Sequence, residues 1–381
     1  MSSKVTMERK QRNTTVDIIR TVALFGICIV NLPFLGVDFN QQTEVSLSMA
    51  DKTVIFLVES LFQNKFFLLF SFIFGWGFQV QINSAKKNSI NFSKRYFRRL
   101  IGLAALGFLH AFLVFAGDIL ILYAILGLFL WPFRNTPSKI LLRISLCIFP
   151  VGLITLIGLG HLMTTWEPLI NLFQGKNSHL GGTYPIATLG RFLDWPATFS
   201  FIFLYQGPLA FGAFLVGLSA AKSDFFEKNS VGQQTLSTVF PWLLIISIPA
   251  SFYLTQLPED DNSLLSLLRY FGPLIIAPIM TAVYLHILLL ISDKINLPKL
   301  IVRAGQNSLS CYVLQGLIAG LIFGGYGFKY YGELNHSALL LLSILITFTS
   351  ILLTSLMASY WTRAPLEKLL RYFTNNGFLF K

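Results

Sequence analysis

The sequence predicts an all-α polytopic transmembrane helix bundle of about ten helices with both termini in the cytoplasm, and three observations carry this expectation. First, 54% of the 381 residues are hydrophobic and 12% are charged, with a mean hydropathy of +0.65. Soluble domains carry about 25% charged residues, so lipid must be the solvent for much of this surface. Second, the apolar residues gather into ten runs, near 18–36, 54–82, 100–116, 119–133, 140–162, 199–221, 238–257, 267–291, 308–324 and 338–360. A span needs about 20 mostly apolar residues. Third, with the amino terminus inside, the segments facing the cytoplasm hold 23 of the 29 Lys and Arg residues. That asymmetry is what sets orientation.

The net charge of +12 and pI near 9.6 belong to this same pattern. Basic residues cluster between apolar runs, which suits the anionic lipid of a cell membrane and argues against nucleic acid as a partner. The lipid bilayer is the expected partner, and the plasma (inner) membrane the expected location. Cys28, Cys147 and Cys311 all fall inside apolar runs, and no Cys/His spacing of metal-site type occurs. Packing is the role expected of them, with no metal and no tightly bound cofactor.

The first run follows a polar, basic segment and has no small-residue cleavage pattern behind it, so it reads as a retained helix. Residues 53–81 are too many for one straight span and are interrupted by Gln63-Asn64-Lys65. A short outer or re-entrant helix before Lys65, with the true span after it, is the simplest reading. The next two runs are short. At ~1.5 Å per residue, 100–115 and 119–131 reach ~24 and ~20 Å, against a hydrocarbon core of ~30 Å. This predicts a short helical hairpin over 100–133 whose tip, Ala116-Gly117-Asp118, is recessed below the outer surface and whose His110 lies near mid-membrane. Residues 163–198 read as a polar, aromatic outer loop, and five further runs complete the bundle. Gly75-x-Gly77 follows no strand, so close helix packing is its expected use, not nucleotide binding.

Short helices with recessed polar groups are where membrane proteins tend to build sites. His110 and Asp118 are costly at that depth unless they pair or line a wet cavity. Facing each other, they would make His110 a general base oriented by Asp118; otherwise Asp118 caps the fourth helix. Asn31, at the end of the first run, would orient an acceptor or a carbonyl oxygen, or sit at the interface before Pro33. Glu59 and Gln63 share a helical face. His286 lies deep in the eighth run with no partner apparent, which suits a packed histidine. Asp17 and Arg20 are three apart, spaced for an ion pair. With Arg98 and Arg99, Arg20 would form a cytoplasmic anion site, or serve topology alone.

The chain then resembles a known family. VDIIRTVALFGICIVN at the start, NKFFLLFSFIFGWGF, the long KRYFRRLIGLAALGFLHAFLVFAGDILILYAILGLFLWPFR, and later RAGQNSLSCYVLQ, GGYGF and WTRAPLEKLLRYFT are similar to YeiB-like bacterial membrane proteins. Those form largely a domain of unknown function. The amino-terminal half of the family is similar to heparan-alpha-glucosaminide N-acetyltransferase and, more remotely, to membrane acyltransferases that decorate sugars. The resemblance implies an amino-terminal acyltransferase-like bundle over 1–162, the extracytoplasmic loop 163–198, and a YeiB-like bundle over 199–381, integrated as one membrane domain. It further implies acyl-CoA as cytoplasmic co-substrate, with His110 and Asp118 at the transfer site and Arg20, Arg98 and Arg99 facing CoA. The distant acyltransferases have a His where this first helix has Asn31, and relatives often have Gly where Thr21 follows Arg20. A transmembrane acyltransferase delivering to an extracytoplasmic glycan, lipid or small metabolite is one expectation. A transporter or exporter using His110 and Asp118 as its substrate or proton site is the second, and a non-catalytic membrane component the third.

Overall fold

The computed structural model describes residues 14–38, 47–165, 179–258 and 264–376, and among them the chain is helical with no strand. The two ends of the chain, expected in the cytoplasm, lie outside the described residues. Eight helical stretches are long and apolar enough to cross a membrane, and two shorter apolar helices accompany them. This is a multi-pass membrane protein.

Helix α1 (Thr14–Gly36) is central, touching α3 (Phe66–Lys87), α9 (Leu264–Lys294), α10 (Lys299–Gln306), α11 (Ser308–Phe323) and α12 (His336–Trp361). Helix α2 (Met49–Leu61) precedes α3, and the chain breaks between them where the sequence predicts. Asn64 takes the left-handed conformation there (φ 65°), which Asn tolerates better than most residues. The backbone groups freed by the break find partners nearby. Tyr284 Oη donates to Leu61 O (2.7 Å), Thr281 Oγ1 to Lys65 O (3.0 Å), and Lys65 Nζ to Glu59 O (2.9 Å). A helix break in lipid survives only with such substitutes.

Helix α4 (Phe92–Leu113) corrects the sequence expectation of a short third span. It starts where the Asn91 side chain accepts from Lys94 N (3.0 Å), so the basic stretch before residue 100 is helical too. Its 22 residues reach ~33 Å. Charges ended the apolar run but not the helix, because long cationic side chains keep their heads wet while their stems pack. Only the second arm of the hairpin is short: α5 (Leu120–Leu130) has 11 residues and passes into a 3-10 turn over Trp131–Asn135. His110 therefore sits in the last turn of a full-length helix.

Helix α6 (Ser138–Thr165) is followed by α7 (Tyr184–Lys222), which begins well inside the expected loop 163–198. Phe192 and Trp195 of α7 pack on Phe112 of α4, and Arg191 Nε donates to Phe112 O (2.8 Å). Those contacts hold the polar, aromatic segment helical. At the centre of the bundle, α7 crosses α3 so closely that a Cβ on Gly75 would collide with the carbonyl of Phe214, and one on Gly217 with that of Phe72. Gly75 thus serves helix packing as expected. Helices α8 (Val231–Leu254) and α9 pack on each other, and α13 (Pro365–Asn376) packs along α4.

The connections sort to two ends. At one, Arg98 Nη1 donates to Asn375 O (3.1 Å), Lys222 Nζ to Arg134 O (2.7 Å), and Ser292 Oγ to Thr15 Oγ1 (3.1 Å). At the other, Ser337 donates to Asp51 Oδ1 through N–H (2.9 Å) and Oγ (2.8 Å), Gly325 N–H to Leu180 O (2.9 Å), and Gly332 N–H to Gly36 O (2.9 Å).

Candidate functional site

The hairpin tip brings His110 and Asp118 together. After Leu113 the chain turns over the His110 carbonyl, which accepts from Val114 N and Phe115 N, both at 2.9 Å. Asp118 then starts α5: its Oδ2 accepts from Leu120 N (2.8 Å) and Ile121 N (3.2 Å). Its Oδ1 lies 2.8 Å from His110 Nδ1. Capping and orienting, weighed as alternatives from the sequence, are both done by one carboxylate. Asp118 is fully buried (0% exposed) and His110 nearly so (3%). A buried carboxylate needs its lone pairs satisfied, and two backbone donors plus the imidazole do this at a helix N-terminus that favours negative charge.

With Nδ1 engaged by Asp118, Nε2 is the ring nitrogen left to face elsewhere. Nε2 is buried with no hydrogen-bond partner among the described residues. It borders a chamber of about 20 Å³ lined also by Asn31, Cys28, Tyr312 and Gln315. Gly316 makes the room, since a Cβ there would lie 2.8 Å from Nε2. Asn31 is thus brought to His110 from α1, although it lies 79 positions earlier in the chain.

A second, larger cavity of about 410 Å³ opens at the arginine-rich end. Arg20, Arg95, Arg99, Arg363 and Arg371 line it, with Ile73, Phe74, Tyr123 and Leu120 among its apolar walls. Arg20 also pairs with Asp17 at 3.2 Å, as its spacing predicts. Arg98 does not line this cleft; it turns to Asn375 on α13. Residues 95 and 99, four apart, share the face that 98 and 99 cannot. That periodicity was the available signal for Arg95, whereas nothing in the sequence places Arg363 and Arg371 beside α4.

Glu367 of α13 enters the same cleft. It caps α11, Oε1 accepting from Leu309 N (2.8 Å) and Ser310 N (3.1 Å) and Oε2 from Ser310 Oγ (2.5 Å). Burial raises its carboxyl above the usual carboxylate range against the pull of those bonds.

The remaining polar candidates stand apart. Glu59 and Gln63 line a third cavity of about 140 Å³ together with His336, and Glu59 Oε2 pairs with Arg269 Nη2 (2.6 Å). His286 is buried against Phe240, ring centroids 4.4 Å apart, and lines none of the three cavities. Lys65 is fully buried beside this group, a cation the sequence reading treated only as a helix breaker.

Fold and site together define a multi-pass helical membrane protein with an arginine-rimmed cleft and a buried His–Asp pair whose histidine borders a small chamber. Residues 220–376 match the family described as "Protein of unknown function (DUF418)". The whole chain is similar to "Uncharacterized protein YxaH" of Bacillus subtilis, 26% identical with 97% of this chain and 96% of that one covered. It is likewise 26% identical to "Uncharacterized protein YeiB" of Escherichia coli, over 96% of each. A third relative, "Uncharacterized 39.9 kDa protein in amylase 3'region" of Bacillus acidopullulyticus, is 26% identical over 96% of this chain and 94% of its own. The YeiB-like resemblance is borne out, while similarity to the acetyltransferase rests on the sequence motifs alone. No solved structure matches the chain.

Proposed function

We propose that this protein is a transmembrane acyltransferase of the bacterial cell membrane that passes an acyl group from cytoplasmic acyl-CoA to an extracytoplasmic glycan, lipid or small metabolite. In this reading ten spans, α1, α3 to α9, α11 and α12, thread the bilayer with both termini inside. The observation that carries it is the bare Nε2 of His110, held by Asp118 and turned toward a chamber away from the arginine cleft. Arg95, Arg99 and Arg20 supply guanidinium groups suited to the phosphates of CoA. The acceptor O–H or N–H attacks the thioester carbonyl carbon while its proton passes to Nε2. As the C–S bond of the tetrahedral adduct breaks, the CoA thiolate takes that proton from His110. The acylated acceptor and free CoA thiol result, and the imidazole returns to neutral. Asn31 orients the acceptor or the carbonyl oxygen.

The test is binding and turnover of acetyl-CoA by the purified protein in lipid nanodiscs. Saturable binding, with thiol release that a His110→Ala variant lacks, is the expected result. A protein that binds no acetyl-CoA would overturn the reading. The second reading, a transporter, is favoured by one observation: a buried ionisable pair between two cavities also suits proton-coupled access.

A further inference from the structure

The chamber and the cleft have one lining residue in common, Tyr312 of α11. About 20 Å³ holds no more than a water, so no thioester or acceptor fits beside His110 as it stands. Something must move, and the position of Tyr312 makes it the candidate. Its ring lies 5.1 Å from the His110 ring, centroid to centroid, and it is 7% exposed. Its hydroxyl, near Asp118 and the backbone of Ile119, makes no well-formed hydrogen bond among the described residues. Buried tyrosine hydroxyls usually find a partner. This hydroxyl has only weak polar contacts with Asp118 and Ile119 to give up when the ring changes rotamer. The neighbouring side chains differ in this: Tyr123 is held by Ser71 (2.6 Å) and by Phe67 O (3.2 Å), and Gln315 leans on Leu24 O (3.4 Å).

We propose that the Tyr312 ring is the gate between the arginine cleft and the His110 chamber, swinging aside to let the acyl thioester reach Nε2 and closing behind it. This deepens the transferase reading and rests on it for what passes through; the barrier itself is a property of the protein alone. Tyr312 is a positioning residue, and the relevant feature is its ring, not its hydroxyl.

The experiment reads access, not catalysis. Asn31→Cys places a thiol in the chamber of a variant whose native cysteines are replaced by alanine. Oriented vesicles are treated with a charged, water-soluble methanethiosulfonate from one face at a time, without acyl-CoA. From the cleft face, labelling is expected to be slow with Tyr312, at least tenfold faster in Tyr312→Ala, and near the starting rate in Tyr312→Phe and Tyr312→Trp, which keep a ring. Unchanged labelling in Tyr312→Ala would overturn the gate, as would a Tyr312→Phe protein that labels as fast as the alanine variant. Acceleration from both faces would do so too, because it marks general loosening of the bundle. Failure of acetyl-CoA binding would leave this result standing, so the two ideas are tested separately.

Discussion

Two nitrogens of one imidazole divide the work proposed for His110. Nδ1 is committed to Asp118 at 2.8 Å, which leaves Nε2 to exchange a proton. A general base contributes about 10²- to 10⁴-fold, so His110→Ala and His110→Gln should both lose about that much transfer while retaining acetyl-CoA binding. Glutamine keeps polarity and size but takes no proton at neutral pH. Asp118→Asn keeps one cap acceptor for α5 and removes the charge that supports imidazolium; a loss of up to about 10⁴-fold is expected by analogy with oriented triads. Turnover and binding measured on the same preparations check this, and near-normal turnover in His110→Gln would remove His110 from the mechanism. Both residues were legible as candidates because two apolar runs flank a polar Ala-Gly-Asp tip, but their meeting was not, since spacing alone does not say how the turn closes. Tyr312, some 200 positions later, was not legible, since no local pattern says which helix closes over a histidine.

At the scale of elements, hydropathy located the helices well and their ends poorly. An apolar run stops at the first charge, but α4 runs back to its local Asn91 cap, and α7 runs forward from Tyr184 where its contacts with α4 hold it. The difference matters for the donor cleft. Once 92–99 is helical, Arg95 and Arg99 fall on one face and Arg98 on another. A charge-assisted hydrogen bond is worth about 1.5–3 kcal/mol, and 1.4 kcal/mol is tenfold in affinity. Arg95→Gln and Arg99→Gln should each weaken acetyl-CoA binding by about tenfold or more and flatten its dependence on salt, while Arg98→Gln should do neither. Calorimetry at two ionic strengths decides, and equal losses at all three positions would show that the cleft attracts CoA only through its overall charge.

For the whole molecule, hydrogen bonds between connections pair up helix ends that lie on the same side. Arg98 to Asn375, Lys222 to Arg134, and Ser292 to Thr15 tie one set of helix ends together, and Ser337 to Asp51, Gly325 to Leu180, and Gly332 to Gly36 tie the other. Each bond places its two connections on one side, so labels on several pairs are needed to side the whole set. The end with Arg95, Arg99, Arg363 and Arg371 is the basic one, and the positive-inside bias predicts that it faces the cytoplasm. Ser178 and Asp261 lie outside the described residues, whereas Gln256 and Lys329 are exposed positions among the opposite set of connections. Single cysteines at Asn88, Lys228 and Asn376 should react with an impermeant maleimide only from the cytoplasmic face, and those at Gln256 and Lys329 only from the external one. Reversed labels throughout would keep the bundle but put the arginine cleft outside, where no acyl-CoA is present, and the transferase reading would fall with it. Asn88 and Lys329 reacting from the same face would instead break the threading, because an odd number of proposed spans separates them.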